Sequence, residues 1–416
     1  MEIPEFFNAQ LLSELEALSG TPCYVYDEAT IRRQTDIMKK FPAPFGLFPR
    51  YAMKACPTRA ILALVTGEGI GIDASSGFEI DRALRAGVDP TAISLSTQEL
   101  PSDFDQWIKK GVKMNACSLS QLRRYGEKFP NTSIGIRFNP GLGSGGTAKT
   151  NVGGPSSSFG IWHEKKEEVR AIAAEFSLKI ERIHTHIGSG SDPAVWQRTA
   201  NLSLALVREF ETVESLNLGG GYKVARMADE VSTDLLKIGE PVAAALTEFA
   251  EETGRKIRLE IEPGTFVVAN AGYLVSRVQD VVDTGTGGHQ FLKLDSGMTE
   301  LLRPSLYAAQ HPISIIPRGR TVEDMEDYVI VGHCCESGDL VTPAPDDGEK
   351  LAFRNLPKTQ IGDWCVIGGA GAYCSAMSTK NYNSFPETSE VLRSENGDLN
   401  LIRRRQTLDQ LLANEI

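Results

Sequence analysis

A chain of 416 residues is longer than one hydrophobic core supports, so two domains are expected. Its 43 basic and 54 acidic residues give a formal net charge of -11 with no long basic run, which argues against a nucleic-acid partner. No stretch reaches the roughly 20 apolar residues of a membrane span, and seven cysteines without a CxxC pair or zinc-like spacing predict a reduced protein without a metal site.

The acidic start MEIPEFFNAQLL carries no targeting pattern, which adds the expectation of a cytoplasmic location. PCYVYD, around Tyr24, is strand-like. From about residue 47 to 265, β-rich runs alternate with segments whose apolar residues recur at helical spacing. The strands are LFPRYAMK, GIGIDAS, AISLS, VKMNAC, SIGIRFN, RIHTHIGS, SLNLGGG and IRLEIEPG. Helices between them are marked by Ile61, Leu62 and Val65, by Leu122, Tyr125 and Phe129, by Val169, Ile172 and Phe176, and by Leu235, Ile238, Val242, Leu246 and Phe249. The alternation predicts a TIM-like (β/α)8 barrel over residues 28–268.

After the barrel the texture changes. FVVANAGYLVSRVQDVV, FLKLDSG, ISIIP, YVIVGH, WCVIGG, EVLRS and LNLIRRR read as strands between turns. They predict a mostly β C-terminal domain of residues 269–416, joined by 1–27 through the strand around Tyr24. The Gly- and Ser-rich stretch 141–160 reads as a long loop, of the kind that often carries function.

In such barrels the chemistry sits at the C-terminal ends of the strands. Here those ends carry Lys54, Asp73, Arg137 with Asn139, His186 with Ser189, Gly219 to Gly221, and Glu262. Each alone has an ordinary reading: a solvated lysine, a satisfied buried histidine, a flexible glycine turn. Their convergence is the stronger signal. Three consecutive glycines let backbone N–H groups approach a phosphate. Glu262 stands before Pro263 and Gly264, which end the strand and hold the carboxylate at the barrel mouth. There it could keep a pyridine nitrogen protonated. Asp73 could orient Lys54, and Ser76-x-x-Glu79 reads as a helix capping box. In the β domain, Asp295-Ser-Gly, Arg303-Pro-Ser-Leu-Tyr307, Cys335-Glu336-Ser-Gly-Asp339 and Gly371-Ala-Tyr373 join glycine turns to reactive side chains.

YAMKAC, GIDASSGFEI, IRFNPG, HTHIGSG, LNLGGG, EIEPG, DSGMTELLRPSLY, CCESGD, GAYCSAMS and LIRRRQT follow one another from about Pro22 to the C-terminus. In that order they resemble the fold-type III pyridoxal-phosphate-dependent decarboxylases, and most closely the diaminopimelate decarboxylases. The resemblance implies a carboxy-lyase that converts meso-2,6-diaminopimelate to L-lysine and carbon dioxide, the last step of bacterial lysine biosynthesis. It implies a homodimer with shared active sites, and pyridoxal 5'-phosphate bound as a Schiff base on Lys54. By the same resemblance His186 stacks on the cofactor ring, and Ser189, Gly219, Gly220, Gly221 and Tyr373 hold the phosphate. Asp73, Arg137 and Gly264 complete the cofactor site, and Glu262 pairs with the pyridine nitrogen.

Arg303 and Tyr307 then grip the distal carboxylate of the substrate, with Tyr373 near it. Glu336 binds the distal ammonium, and Cys335, from the partner subunit, donates a proton. An arginine fork suits a carboxylate, which favours diaminopimelate over a simple basic amino acid. Two departures bear on substrate: Thr265 stands where the family continues EPG with an arginine, and Ser158 where a lysine often precedes the phenylalanine. They leave a carboxylated polyamine or another amino acid as the alternative substrate. A racemase and a non-catalytic regulatory relative are weaker rivals, the second because Lys54 and Cys335 are both present.

Overall fold

Period-two strands bounded by capped helices close into a ring. The computed structural model describes residues 2–143, 153–188, 190–345 and 347–416. They divide into one unit of Arg32–Val224 and Val231–Val267, and a second of Met1–Ile31, Ala225–Glu230 and Val268–Ile416.

In the first unit, eight parallel strands form the barrel: Leu47–Ala52, Gly71–Ala74, Ile93–Leu95, Lys113–Ala116, Ser133–Asn139, Lys179–Thr185, Ser215–Asn217 and Arg258–Ile261. The last pairs with the first, Leu259 opposite Leu47, and closes the ring. A two-residue strand, Ile161–Trp162, adds to the end of the fifth. Side-chain caps fix where the helices begin. Ser76 accepts from the Glu79 N–H at 3.1 Å, Ser118 from Gln121 at 3.1 Å, and Asp234 from Leu236 at 3.0 Å. The Glu79 carboxylate reaches the N–H of Ser75 at 2.6 Å, one residue before the cap, so the capping box read from the sequence is displaced by one position.

The interior of this barrel is polar, which alternation explains. Arg50, Arg182, Asn115, Ser94 and Glu260 all point inward from their strands and are buried. Glu260 accepts from Arg50 Nε at 3.1 Å and Arg182 Nε at 3.3 Å, while Arg182 Nη1 donates to Asn115 Oδ1 at 3.2 Å. Burial alone would push the Glu260 carboxyl up; the two guanidiniums hold it below the usual range. Removing either partner of such a buried pair is costly because it strands a charge. Gly135 makes room for this network: a Cβ there would lie 2.1 Å from Asn115 Oδ1.

In the second unit the main path of the sheet runs Arg354–Pro357, Met325–Val331, Gln290–Leu294, Gly272–Asp283, Cys23–Asp27, Ser389–Arg393 and Leu399–Arg403. Trp364–Ile367 also pairs with Gly272–Asp283, and Ile313–Ile316 with Trp364–Ile367. Cys23–Asp27 lies antiparallel to Gly272–Asp283 and parallel to Ser389–Arg393. A helix, Ala9–Ser19, capped by Asn8, buries Leu12 and Leu15 against Val25, Tyr273, Trp364 and Val391. The strand expected from Phe266 starts only at Gly272. Thr265–Val268 is a helical turn, followed by a 3-10 turn at Ala269–Ala271. Among the described residues no helix is long and apolar enough to cross a membrane.

Candidate active site

The first strand delivers its lysine one step late. Leu47–Ala52 ends in a 3-10 turn, Met53–Ala55, that carries Lys54 outward while Met53 and Ala55 stay buried. Around it the neighbouring strand ends supply a ring of charges. Asp73 feels the charges of Glu262, Lys54, Glu79 and Arg137; His186 feels Arg137, Lys54, His184 and Glu262. The barrel-unit candidates Lys54, Asp73, Arg137, His186 and Glu262 thus form one electrostatic group.

Two carboxylates in that ring are driven apart. Burial, then the charge of Glu262, pushes Asp73 well above the usual carboxylate range. Burial would push Glu262 up too, but His184 and Asn217 hold it below that range. Asn217 Nδ2 donates to Glu262 Oε1 at 2.5 Å. His184 Nε2 lies 3.3 Å from Oε2, without good hydrogen-bond alignment. The two carboxyls are thereby pushed in opposite directions, Glu262 toward the ionised form and Asp73 toward the protonated one, the separation of roles that acid–base and charge-stabilising sites exploit. Burial lowers both histidines from the ordinary imidazole value, opposed at His184 by the Glu262 carboxylate, and takes His186 well below it.

His184 and Asn217 are the residues the sequence reading missed. His184 lies two residues before His186, and Asn217 two before Gly219, so both face the same interior by alternation. His184 Nδ1 is 3.3 Å from Ser96 Oγ, which accepts in turn from Asn115 Nδ2 at 2.9 Å. The site thus continues downward into the polar barrel core.

The glycines leave no space for side chains. A Cβ on Gly219, at φ +71, would lie 2.6 Å from His186 Nδ1; one on Gly220 would lie 2.4 Å from the Glu262 carbonyl oxygen. Gly264 has Ala52 O and Ala55 Cβ at 3.1 Å from the same test position. Gly221, at φ +103, accepts at its carbonyl from the Gly190 N–H at 3.1 Å. Asn217 Oδ1 accepts from Gly219 N at 2.8 Å, which joins the glycine turn to the carboxylate that Asn217 also holds. The Arg137 guanidinium lies 5.1 Å from the centre of the Phe159 ring. Ser189 lies outside the described residues. Thr265 opens the helical turn after Gly264 and brings no charge there.

The second unit holds the other candidates. Arg303–Tyr307 is a short helix with Pro304 in its first turn, and Arg303 lies 5.9 Å from the Tyr307 ring centre. Asp339 accepts from Met298 N at 2.7 Å and Cys334 N at 2.8 Å and so ties the Asp295-Ser-Gly turn to the CCESGD turn. Cys335 is exposed, and its N–H donates to Asn383 Oδ1 at 2.8 Å. Glu336 is exposed and accepts from Gly338 N at 3.1 Å. Tyr373 sits at φ 56, a left-handed turn in a Gly-Ala-Tyr segment.

Residues 28–269 match the model of the pyridoxal-dependent decarboxylase family, pyridoxal binding domain. The chain is 36% identical to a diaminopimelate decarboxylase of Streptomyces coelicolor, over 100% of this chain and 93% of that one. It is likewise 36% identical to the diaminopimelate decarboxylase of Escherichia coli K12, over 98% and 97%. A crystal structure of a diaminopimelate decarboxylase superposes with a TM-score of 0.90 at 35% identity, covering 98% of this chain and 96% of the other. The Helicobacter pylori diaminopimelate decarboxylase complexed with L-lysine does so at 0.85 and 28% identity, covering 97% and 98%.

Proposed function

The chain belongs to the diaminopimelate decarboxylases of the pyridoxal-dependent decarboxylase family, and from that premise we propose that it converts meso-2,6-diaminopimelate to L-lysine and carbon dioxide. The observation that carries the chemistry is the ring of barrel strand ends, in which an ionised Glu262 and a neutral His186 lie within electrostatic reach of each other and of Lys54. Full-length likeness to diaminopimelate decarboxylases carries the substrate. It leaves the carboxylated-polyamine alternative without support.

Pyridoxal 5'-phosphate fits the residues present. Gly219 and Gly220 pack so closely on His186 and the Glu262 carbonyl that no Cβ fits, and among the described residues the buried His186 Nδ1 and Asp73 Oδ1 lack hydrogen-bond partners. In this reading Lys54 tethers the cofactor, His186 covers one face of its ring, and the Gly219–Gly221 turn, with Ser189 and Tyr373, receives its phosphate. Asp73 and Arg137 set the charge around it, Gly264 gives it room, and Glu262 holds the proton on the pyridine nitrogen. When bound, the cofactor is the electron sink for the pair left on the α-carbon as carbon dioxide departs. The protein's own work is to orient the scissile carboxylate, to keep Glu262 ionised, and to return a proton to that carbon.

Cys335 is assigned that proton, and Glu336 the remote ammonium of the substrate. Five of the seven cysteines are buried, and burial with neighbouring Asp339 pushes the Cys334 thiol up to about 12. Brief iodoacetamide treatment of the holoenzyme is therefore expected to label Cys335 first, with activity falling in step, and Cys335→Ser to resist the label. Peptide mass spectrometry checks this; full activity after labelling at Cys335 would remove it from the reaction. Family membership supports a homodimer in which Cys335 serves the partner's site, and a cytoplasmic location.

The deciding experiment incubates the holoenzyme with meso-diaminopimelate and measures carbon dioxide and L-lysine. Equal amounts of both are expected. A bound cofactor with neither product would keep the family and reject the substrate.

A further inference from the structure

In the second unit a buried Arg226 and the half-buried Arg303 and Arg354 stand without a carboxylate ion pair among the described residues. Arg226 is 8% exposed; its Nε donates to the Gly369 carbonyl at 3.0 Å, and its Nη2 has no partner. Gly369, at φ +63, closes over the arginine stem so tightly that a Cβ would lie 2.9 Å from Arg226 Cδ. The guanidinium is therefore fixed in place by the turn that precedes Tyr373.

Arg303 is near enough that its charge, after burial, helps push the Arg226 guanidinium down to about 9. Arg303 Nε and Ser305 Oγ are also buried atoms without partners. His311 adds no charge: its Nδ1 lies 2.9 Å from the Gly368 carbonyl, and burial, with Arg226, Arg303 and Arg354 around it, keeps it neutral. The carboxylate whose charge acts on Arg226, Glu230, is exposed and already accepts from the N–H groups of Arg226 at 2.6 Å and Met227 at 3.0 Å. Among the described residues no ion pair joins any carboxylate to Arg226, Arg303 or Arg354.

Buried guanidiniums with open donors are costly unless an anion meets them. Two planar forks and a hydroxyl match the oxygens of a carboxylate. We infer that Arg226 is a second substrate-binding guanidinium, which with Arg303 and Ser305 receives the carboxylate that the substrate retains. This rests on the decarboxylase reading and names a residue that the motif order had not singled out. The chain thereby gains a cation for the substrate although Thr265 supplies none.

The product L-lysine keeps the retained carboxylate; cadaverine, the same diamine skeleton, lacks it. Inhibition constants of both are to be measured on the holoenzyme, wild type against Arg226→Gln, with cofactor affinity followed by absorbance. The expected result is L-lysine weakened by about 10- to 100-fold, the worth of a charge-assisted hydrogen bond, with cadaverine and cofactor unchanged. Equal weakening of both inhibitors would make Arg226 structural and overturn the inference. Weaker cofactor binding with an unchanged lysine-to-cadaverine ratio would assign Arg226 to the phosphate and also overturn it. Should Arg226→Gln fail to fold, Arg226→Lys keeps the charge and loses the fork. Selective weakening of L-lysine then supports the inference, and an unchanged ratio rejects it. If the wild type makes no lysine from meso-diaminopimelate, the decarboxylase reading fails instead, a result separate from the Arg226 ratio.

Discussion

Lys54→Ala is expected to lower decarboxylation by about a thousandfold or more while leaving the fold intact. The side chain leaves a 3-10 turn whose buried anchors are Met53 and Ala55, and Lys54 itself is exposed. Exposed substitutions away from special backbone usually change stability by less than about 0.5 kcal/mol. Lost activity would then reflect lost chemistry. Two measurements separate these: the thermal midpoint of the cofactor-free protein, expected to be unchanged, and carbon dioxide release, expected to vanish. A third reports the tether directly. Borohydride treatment of the wild-type holoenzyme should fix the cofactor's mass on the peptide containing Lys54, and the variant should give no such peptide. A fully active Lys54→Ala, or a labelled peptide elsewhere, would move the tether to another lysine. The charge of Lys54 also opposes protonation of Asp73 and Glu79, so the variant should leave both carboxyls still more readily protonated.

The barrel was legible because its strands are short β-rich runs between capped helices, and because unusual side chains collect at their ends. Lys54, Asp73, His186 and Glu262 could be found by asking which polar residues close an apolar run. The polar interior was not found that way. His184, Asn217 and Asn115 sit inside runs that count as β-rich, and only the period of two, read backward from His186 and Gly219, shows that they share the site's face. The helical turn at Thr265–Val268 was hidden for the opposite reason: Phe266, Val267 and Val268 have strand propensity, but the Pro263-Gly264 turn redirects the chain before the strand at Gly272. Arg354–Pro357 escaped because it ends in proline and, among the described strands, pairs with Met325–Val331 alone, at the edge of its sheet. Arg226 escaped because a lone arginine in a loop has no period. Its signal is the absence of a counter-charge once it is buried.

Glu262→Gln tests the electrostatic half of the site. The amide keeps the size of the carboxylate and can still accept from Asn217 Nδ2, so packing around the Gly220 turn should hold. What it loses is charge. A neutral amide cannot hold a proton on a pyridine nitrogen, and the expected fall in kcat is about 10²- to 10³-fold, comparable to removing one preorganised charge-stabilising contact. KM should change less, because the carboxylate acts on the cofactor rather than on the substrate. Stability gives an independent check whose sign follows from linkage. Despite burial, His184 and Asn217 hold the folded-state pKa of Glu262 below its unfolded value. Ionisation therefore stabilises the wild type above the ordinary carboxylate pKa, and that contribution is lost as pH falls through the folded-state value. Glu262→Gln lacks it, so the variant should be the less stable of the two near neutrality, and the gap should close in acid. Unfolding midpoints across pH read this gap. Unchanged kcat would show that the ionised carboxylate belongs to the barrel's polar core alone; a lower kcat with the predicted closing of the gap ties the same charge to both the fold and the reaction.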